Sequence, residues 1–335
     1  MEYQKILVLQ TAFLGDAILA TPVLKALNQL IPNAQIDVLT IPQTSIVFKY
    51  NPYVTERLIF DKKRPLKKII SFFRLITSIR KNKYDLAISI QSSITSSFLM
   101  LFGKIPNRVG FSRQKLLTQP VFVKQGIHTR IRYLKLLKSF SNKNFDSQTE
   151  IYWTDSEKSK VQNLVDSIDK NAYFLIGIAP GSVWHTKKWL QEYFIDLLKL
   201  LNNEKVKTFL IGGNEEKQLC DEIIKNSLTE AKNLAGCLTI LESAALISKL
   251  NLMITNDSAP LHIANAVKTD VIAIFGPTVP AHGFFPFRDN DKIMEIDLYC
   301  RPCSKHGGSK CPEKHFRCMR EITPKMVFDE IKHRI

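Results

Sequence analysis

Apolar residues in the first part of the chain alternate between short continuous runs and helically spaced positions. Residues 5–10 form one such run, as expected for a parallel strand that is buried on both faces. Helical spacing follows over residues 18–30, and residues 36–39 form a second apolar run. This order predicts a strand, a crossover helix and a parallel strand. Two more strands are predicted over residues 58–60 and 86–90.

The same alternation restarts after a polar, aperiodic stretch at residues 142–156, which we interpret as a linker. The predicted strands that follow span residues 174–179, 206–211, 252–255, 271–275 and 292–296, and the predicted helices span 190–201, 215–225, 241–250 and 259–267. We therefore expect an α/β protein with two doubly wound domains, 1–150 and 151–335, the second ending in a Cys-rich tail, 300–318.

Residues 6–24 are apolar enough to raise the question of a membrane span. Gly15 and Asp16 lie at the centre of this stretch, and Pro22 lies near its end. A central Asp costs about 2.5–3.5 kcal/mol on insertion scales. The leader Met1 to Lys5 also lacks the positive bias of a signal peptide. The stretch is better interpreted as a strand, a turn and a helix.

The composition is that of a folded globular protein, with 45% apolar and 23% charged residues. A formal charge of +16 favours phosphate-bearing partners, which could be nucleic acid, anionic lipid or a nucleotide. The sequence has no recognised nucleic-acid module and no interleaving of basic and aromatic residues, so we expect no nucleic-acid partner. All six cysteines follow residue 219, which is unlike a secreted disulfide framework.

Ligands of doubly wound domains bind beyond the carboxyl ends of the strands, so the turns that follow predicted strands are the candidate sites. Five turns are rich in Gly, Pro, Ser, Asn or Asp: residues 11–16, 180–182, 212–216, 256–260 and 275–278. The sequence lacks G-x-G-x-x-G, the P-loop motif, G-x-S-x-G and H-E-x-x-H, which counts against a dinucleotide dehydrogenase, a P-loop enzyme, a serine hydrolase and a zincin.

Several candidate residues have both a binding and a structural interpretation. Asp257 and Ser258 open a helix whose first amides could bind an anion, or they could simply cap it. His262 could face the same ligand or pack in the core. Thr186 and Lys187 could contact phosphate oxygens or be ordinary residues before a helix.

Taken together, these turns resemble one known family. The residues that carry the resemblance are Leu14-Gly15-Asp16 with Thr21-Pro22, Pro180-Gly181-Ser182 with Thr186-Lys187-Lys188-Trp189, Asn233 to Gly236, Asn256 to His262, and Phe275 to Thr278. They closely resemble glycosyltransferase family 9, the heptosyltransferases of the lipopolysaccharide inner core. The tail with Cys300-Arg301-Pro302-Cys303, Cys311-Pro312 and Cys318-Met319 resembles the heptosyltransferase II branch, which adds the second heptose.

The resemblance implies a GT-B architecture, in which an acceptor-binding N-terminal domain faces a donor-binding C-terminal domain across a cleft. It implies an ADP-heptose donor, a lipid A-Kdo-heptose type of acceptor, inversion at the anomeric carbon and no required cofactor. The implied location is cytoplasmic and peripheral, on the inner face of the inner membrane.

The family's roles transfer to matching positions of this sequence. Asp16 matches the general base, and Lys187 matches the lysine on the donor phosphates. The implied donor-binding residues are Ser182, Thr186, Lys187, Glu216, Asp257, Ser258, Ala259 and His262, with Glu216 near the ribose. Two positions depart from the pattern: Ala259 replaces the usual Gly, and Leu190 replaces the common Pro. The extra methyl of Ala259 lies where the backbone approaches phosphate.

Two motifs raise the question of a metal. Asp289-Asn290-Asp291 imitates the Asp-x-Asp of metal-dependent transferases, but its polar surroundings favour a surface loop. Cys300, Cys303, Cys311 and Cys318 are enough ligands for a structural zinc ion, or they are reduced thiols packing a loop-rich tail.

Residues 62–83 are rich in Lys and Arg and contain no acidic residue. Their apolar positions have a helical period. With Lys67, Lys68 and Arg74, this helix could lie on an anionic membrane or receive a phosphorylated lipid acceptor. Alternatively, it packs on the core with a solvated basic edge. Two other functions remain open: transfer from a different nucleotide sugar in envelope glycan synthesis, and non-catalytic binding on the same fold.

Overall fold

The computed structural model describes residues 3–62, 65–124, 126–165 and 173–335, with the backbone alone for 65–68. It divides the chain into two units, Met1–Tyr152 and Trp153–Ile335. The polar stretch before this boundary is fixed to the first unit, because the Lys25 ammonium pairs with the carboxylates of Asp146 at 3.3 Å and Glu150 at 2.7 Å. Thus the part of the expected linker that precedes the boundary is packed.

A parallel sheet organises the first unit. Its strands are β1 (Lys5–Leu9), β2 (Gln35–Thr40), β3 (Arg57–Ile59), β4 (Leu86–Ser89), β5 (Asn107–Phe111) and β6 (Gln119–Val121). Within the described residues they have the order β3-β2-β1-β4-β5-β6. Residues Ile6 to Leu9 of the central strand β1 are at most 1% exposed, which explains their continuous apolar run. The order is that of a Rossmann-like domain.

The helices of this unit are α1 (Leu14–Leu19), α2 (Thr21–Leu30), α3 (Pro65–Asn82), α4 (Ile94–Phe102) and α5 (Thr129–Leu134). The single helix expected over residues 18–30 is broken at Ala20. Pro22 has no N–H to donate to the Ile18 carbonyl, and the Thr21 hydroxyl donates to it instead at 2.8 Å. Because of this break, α1 is only six residues long.

The basic helix α3 packs one apolar face on the core and exposes another. Leu75, Ile76 and Ile79 are buried in a cluster with Leu99 and Met100 of α4. Among the side chains that the structure describes, the exposed apolar ones of the two helices are Ile69, Ile70 and Phe73 on α3 and Ile94, Phe98 and Phe102 on α4. Core packing therefore accounts for only part of the apolar character of α3.

The second unit repeats the architecture. Its strands are β7 (Phe174–Ala179), β8 (Val206–Leu210), β9 (Lys232–Asn233), β10 (Leu252–Asn256), β11 (Asp270–Ile274) and β12 (Lys292–Met294). The described strands are parallel and have the order β12-β11-β10-β7-β8-β9, so the chain crosses over between β9 and β10. The expected α/β fold with two Rossmann-like, doubly wound domains is confirmed.

The helices of the second unit are α6 (Asp155–Val165), α7 (Gln191–Leu201), α8 (Lys217–Ser227), α9 (Ile240–Ile247), α10 (Ala259–Ala266), α11 (Arg317–Arg320) and α12 (Pro324–Lys332). Trp189 is central to the core under α7: its ring meets Tyr193 and Phe194 edge to face, and its indole N–H donates to the Ile322 carbonyl at 2.8 Å. Trp189 directly follows the Thr186–Lys187 turn, which is thereby fixed to the core.

The apolar stretch over residues 6–24 forms a strand, a turn and two short helices, as expected from its central Gly and Asp. Across the described ranges, no helix combines the length and the apolar character needed to cross a membrane.

Candidate active site

The turns that follow β7, β8, β10 and β11 lie at one edge of the second sheet. These four strands are neighbours in the order β11-β10-β7-β8, and all are parallel. Turns that are far apart in sequence therefore come together at the carboxyl ends of the strands. This edge contains most of the candidate residues of the sequence analysis.

A buried ion pair lies at the centre of this edge. The Lys187 ammonium is 2.5 Å from Oδ2 of Asp257, and their side chains are only 12% and 7% exposed. The Thr278 hydroxyl donates to the same Asp257 oxygen at 2.6 Å. The three residues come from the turns after β7, β10 and β11, so the pair joins three strand ends. Removing either charge would leave the other buried without its partner.

Asn256 positions the lysine turn from the end of β10. Its side-chain amide donates to the Pro180 carbonyl at 2.9 Å, and its carbonyl accepts the Trp189 N–H at 3.0 Å. The Asn256 side chain is completely buried. A buried amide with both ends paired is held in one orientation, so the segment between Pro180 and Trp189 has a fixed path.

Glu216 lies beside the first turn of the site. Its carboxylate accepts the Gly213 N–H at 2.8 Å. A Cβ atom at Gly181 would lie 2.8 Å from Oε1 of Glu216, so the Glu216 side chain approaches the Gly181 backbone closely. The turns after β7 and β8 therefore meet through this carboxylate.

Helix α10 begins at Ala259, two residues after Asp257. Ser258 is its N-cap but makes no side-chain capping bond, and Pro260 occupies one of the first helical positions. The interpretation of Asp257 as a simple cap is wrong, because its carboxylate binds Lys187 and Thr278. The partly exposed Ala259 opens the helix, where backbone amides and the helix dipole favour an anion.

The other donor candidates lie in the same part of the unit. Ser182 is 9% exposed, and Thr186 is 3% exposed. The Thr186 hydroxyl oxygen accepts the Gly308 N–H at 2.8 Å. His262 is 5% exposed, and its ring packs edge to face against Phe284. Ser182 and Thr186 lie on the same connection as Lys187. His262 lies on α10 and is packed, as the second interpretation of this residue, a core histidine, predicted.

Asp16 lies at the carboxyl end of β1 in the first unit. It is the third residue of α1, whose N-cap is Phe13, so it is not the capping residue. The Tyr133 hydroxyl donates to Oδ1 of Asp16 at 2.9 Å. Burial raises the pKa of Tyr133 well above its ordinary value, and the Asp16 charge adds to the effect. Tyr133 therefore remains a neutral donor to the carboxylate.

The turn before Asp16 is held by a buried glutamine. The side-chain amide of Gln10 donates to the Asp16 carbonyl at 3.0 Å, and its carbonyl accepts the Ala12 N–H at 3.0 Å. Sequence reasoning missed Gln10 and Tyr133. Gln10 was visible as a polar residue at the end of an apolar run, whereas no motif marks Tyr133.

Of the basic residues singled out on α3, Arg74 is exposed. The side chains of Lys67 and Lys68 lie outside the described residues.

Neither metal motif forms a metal site in the part of the chain that is described. No group of three or more His, Cys, Asp or Glu residues there is arranged to hold an ion. Cys303, Cys311 and Cys318 line a small cavity of about 50 Å³, and burial raises the pKa of Cys318 to about 11.

The Asp289-Asn290-Asp291 segment has a structural role. The Asp291 carboxylate accepts hydrogen bonds from the Asn265 side chain and from the amides of Val271 and Arg288. Burial raises the pKa of Asp291. Asp291 is therefore more enclosed than expected for a surface loop, and its bonds are to protein groups.

Known proteins share both the sequence pattern and the fold of this chain. The model of glycosyltransferase family 9 (heptosyltransferase) matches residues 72–315. Lipooligosaccharide heptosyltransferase 2 of Campylobacter jejuni is 30% identical over 337 residues, 98% of each chain. Lipopolysaccharide heptosyltransferase 2 of Escherichia coli is 25% identical over 98% of this chain and 97% of its own.

Two solved structures have the same fold. E. coli ADP-heptose LPS heptosyltransferase II superposes with a TM-score of 0.78 and 23% identity, covering 98% of both chains. A family 9 glycosyltransferase from Veillonella parvula superposes with a TM-score of 0.81 and 24% identity, covering 88% of this chain and 87% of that one. By sequence pattern, fold and family match, the chain belongs to glycosyltransferase family 9 and is a glycosyltransferase.

Proposed function

We propose that this enzyme transfers heptose from ADP-heptose to the inner core of lipopolysaccharide, adding the second heptose with inversion. Its curated relatives named heptosyltransferase 2 support this acceptor step. A related solved structure, E. coli WaaC, contains ADP-2-deoxy-2-fluoro heptose. The observation in this chain that carries the proposal is the buried Lys187–Asp257 pair beside the start of α10.

The second unit is proposed to bind the donor. Lys187 would contact the diphosphate oxygens, with Thr186, Ser182 and the first amides of α10 around them. Asp257 holds the lysine in place at 2.5 Å. Glu216, beside Gly181, is at a position where its carboxylate could accept hydrogen bonds from ribose hydroxyls. His262 is proposed to line this site from α10, and Ala259 narrows the approach to its first turn.

The first unit is proposed to bind the acceptor, with Asp16 as general base. The acceptor oxygen attacks the anomeric carbon on the face opposite the diphosphate, which inverts the configuration. The bond from the anomeric carbon to the phosphate oxygen breaks, and its electron pair leaves with ADP. Asp16 accepts the proton of the attacking hydroxyl. Lys187 and the α10 amides stabilise the departing charge, so the proposed reaction requires no metal and no other cofactor.

The acceptor is proposed to be a lipid A-Kdo-heptose type of molecule, reached from the cytoplasmic face of the inner membrane. The outward faces of α3 and α4 support a peripheral contact. Both helices pack into one core cluster, and both expose aromatic side chains: Phe73 on α3, and Phe98 and Phe102 on α4. Arg74 and Lys81 are exposed on α3. Apolar and basic groups on one surface suit an anionic lipid interface.

The donor is tested first. ADP-heptose should raise the melting temperature of the protein and support transfer to a heptose-containing core acceptor, whereas UDP- and GDP-sugars should do neither. Stabilisation and turnover with a UDP- or GDP-sugar instead would favour the other nucleotide-sugar function. Transfer from ADP-heptose to an acceptor that lacks the first heptose would contradict the second-heptose assignment.

Lys187→Ala should weaken ADP-heptose binding and slow turnover together. A charge-assisted hydrogen bond contributes about 1.5–3 kcal/mol, which corresponds to roughly tenfold to a hundredfold. Calorimetry and steady-state kinetics measure the two effects, and the melting temperature reports the cost of leaving Asp257 unpaired. Lys188→Ala is the matched control, because Lys188 has no ion pair among the described residues. If Lys188→Ala lowered binding and turnover while Lys187→Ala did not, the assignment of Lys187 to the donor diphosphate would be refuted.

Asp16→Asn should lower turnover about 10²- to 10⁴-fold, because an amide cannot accept the acceptor's proton. Donor affinity should change little, since the proposed donor residues belong to the other unit. Tyr133→Phe is the companion variant: it keeps the Asp16 carboxylate and removes the hydroxyl that donates to it at 2.9 Å, so a smaller loss is expected. Turnover of a folded Asp16→Asn protein near the wild-type rate would exclude Asp16 as the base.

Vesicle binding should require anionic lipid and weaken with salt, with each Lys or Arg near the surface contributing about 1 kcal/mol. Replacing Lys67, Lys68 and Arg74 by Glu should abolish co-sedimentation with vesicles. The control replaces Lys205, Lys225 and Lys232 by Glu, which changes the net charge equally on exposed positions of the second unit. Equal loss in both triple variants, or none in the first, would contradict a docking role for α3.

A further inference from the structure

The Cys-rich tail reaches back to the proposed donor site through a short loop, residues 304–308, here called the arm loop. The Thr186 N–H donates to the Gly308 carbonyl at 3.0 Å, and the Gly308 N–H donates to the Thr186 hydroxyl oxygen at 2.8 Å. A Cβ atom at Gly307 would lie 3.1 Å from Cγ of Lys187. The arm loop is therefore in direct contact with the Thr186–Lys187 turn.

The start of the tail is fixed to the other side of the same site. The Arg301 side chain, 5% exposed, donates to the carbonyls of Gly276 and Thr278. The Cys303 N–H donates to the Pro277 carbonyl at 3.0 Å. Thr278 in turn donates to Asp257. Bonds at both ends thus hold the arm loop beside the Lys187–Asp257 pair.

A lysine and a histidine lie at the apex of this loop. Lys305 and His306 directly precede Gly307 and are exposed, and neither makes an ion pair with a described residue. Residues of the site and of the arm loop both affect the pKa of His282. Burial lowers the pKa of His282, Asp257 opposes that effect, and electrostatic interactions with Lys187, Lys305 and His306 lower it further.

Charge balance gives these residues a role. Asp257 at 2.5 Å offsets the charge of Lys187, so the ammonium can still donate to a phosphate oxygen but the pair adds no net positive charge to the site. When the bond from the anomeric carbon to the phosphate oxygen breaks, the departing nucleoside diphosphate gains one negative charge. Further cations within a few ångströms would add to the stabilisation that Lys187 and the α10 amides provide, because exposed charges are screened beyond about 8–10 Å.

We propose that Lys305 and His306 form a second cationic wall of the donor site, which binds the diphosphate of the nucleotide sugar and stabilises it as it leaves. The inference rests on the proposed function only in taking the donor to be a nucleoside diphosphate sugar. It makes the tail part of the active site, in addition to its packing role in the second unit.

The test compares binding of ADP, inorganic pyrophosphate and adenosine to the full-length chain by calorimetry. The double variant Lys305→Ala, His306→Gln should bind ADP and pyrophosphate roughly tenfold to a hundredfold more weakly and adenosine as well as the wild type. Lys305→Arg should retain most of the affinity because it keeps the charge. The control is Lys314→Asn, which removes a tail charge at a position whose φ of 58° suits Asn.

Each outcome decides a different point. Unchanged ADP and pyrophosphate affinities in a folded double variant overturn the cationic wall and leave the proposed donor intact. If the wild-type chain binds pyrophosphate through Lys305 and His306 but does not bind ADP, the cationic wall is supported and the proposed ADP-heptose donor is contradicted. Failure of the wild type to bind either anion overturns both. An equal loss in Lys314→Asn shows a general charge effect and also overturns the wall.

Discussion

The arrangement of the second unit depends on one buried ion pair, Lys187 with Asp257. Taking two charges out of water costs several kcal/mol per ion, and the cost is offset only when geometry and further hydrogen bonds are good. Here Thr278 adds a hydrogen bond to Asp257, and Asn256 holds the turn that carries the lysine. Three segments of the chain are thus fixed relative to one another by the requirement to satisfy two charges.

In the first unit, too, hydrogen bonds from neighbouring segments hold a charged side chain and its turn, but here there is one charge, that of Asp16. The Asp16 carboxylate accepts a hydrogen bond from the Tyr133 hydroxyl, and the Gln10 side chain holds the turn that precedes Asp16. In both units a buried amide side chain at the end of a central strand, Gln10 or Asn256, sets the path of the following turn. A side chain held in this way loses little entropy when a substrate arrives, which is the advantage of a preorganised site.

Period and composition predicted the two doubly wound domains, because continuous apolar runs and helical spacing are local properties of the sequence. The short strands β5, β6 and β9 were missed, since Arg108, Pro120 and Lys232 interrupt any apolar run there. Lys187 and Asp257 were both candidates, but their contact joins positions 70 residues apart, and only the strand order brings them together. Tyr133 and Arg301 had no local signal, because their roles come from tertiary contacts alone.

The most direct test of this account is a crystal structure of the protein with ADP bound. The account predicts that the diphosphate lies within hydrogen-bond distance of the Lys187 ammonium and the first amides of α10, with the ribose beside Glu216. ADP bound elsewhere in the chain, with the Lys187–Asp257 pair remote from every phosphate oxygen, would contradict it.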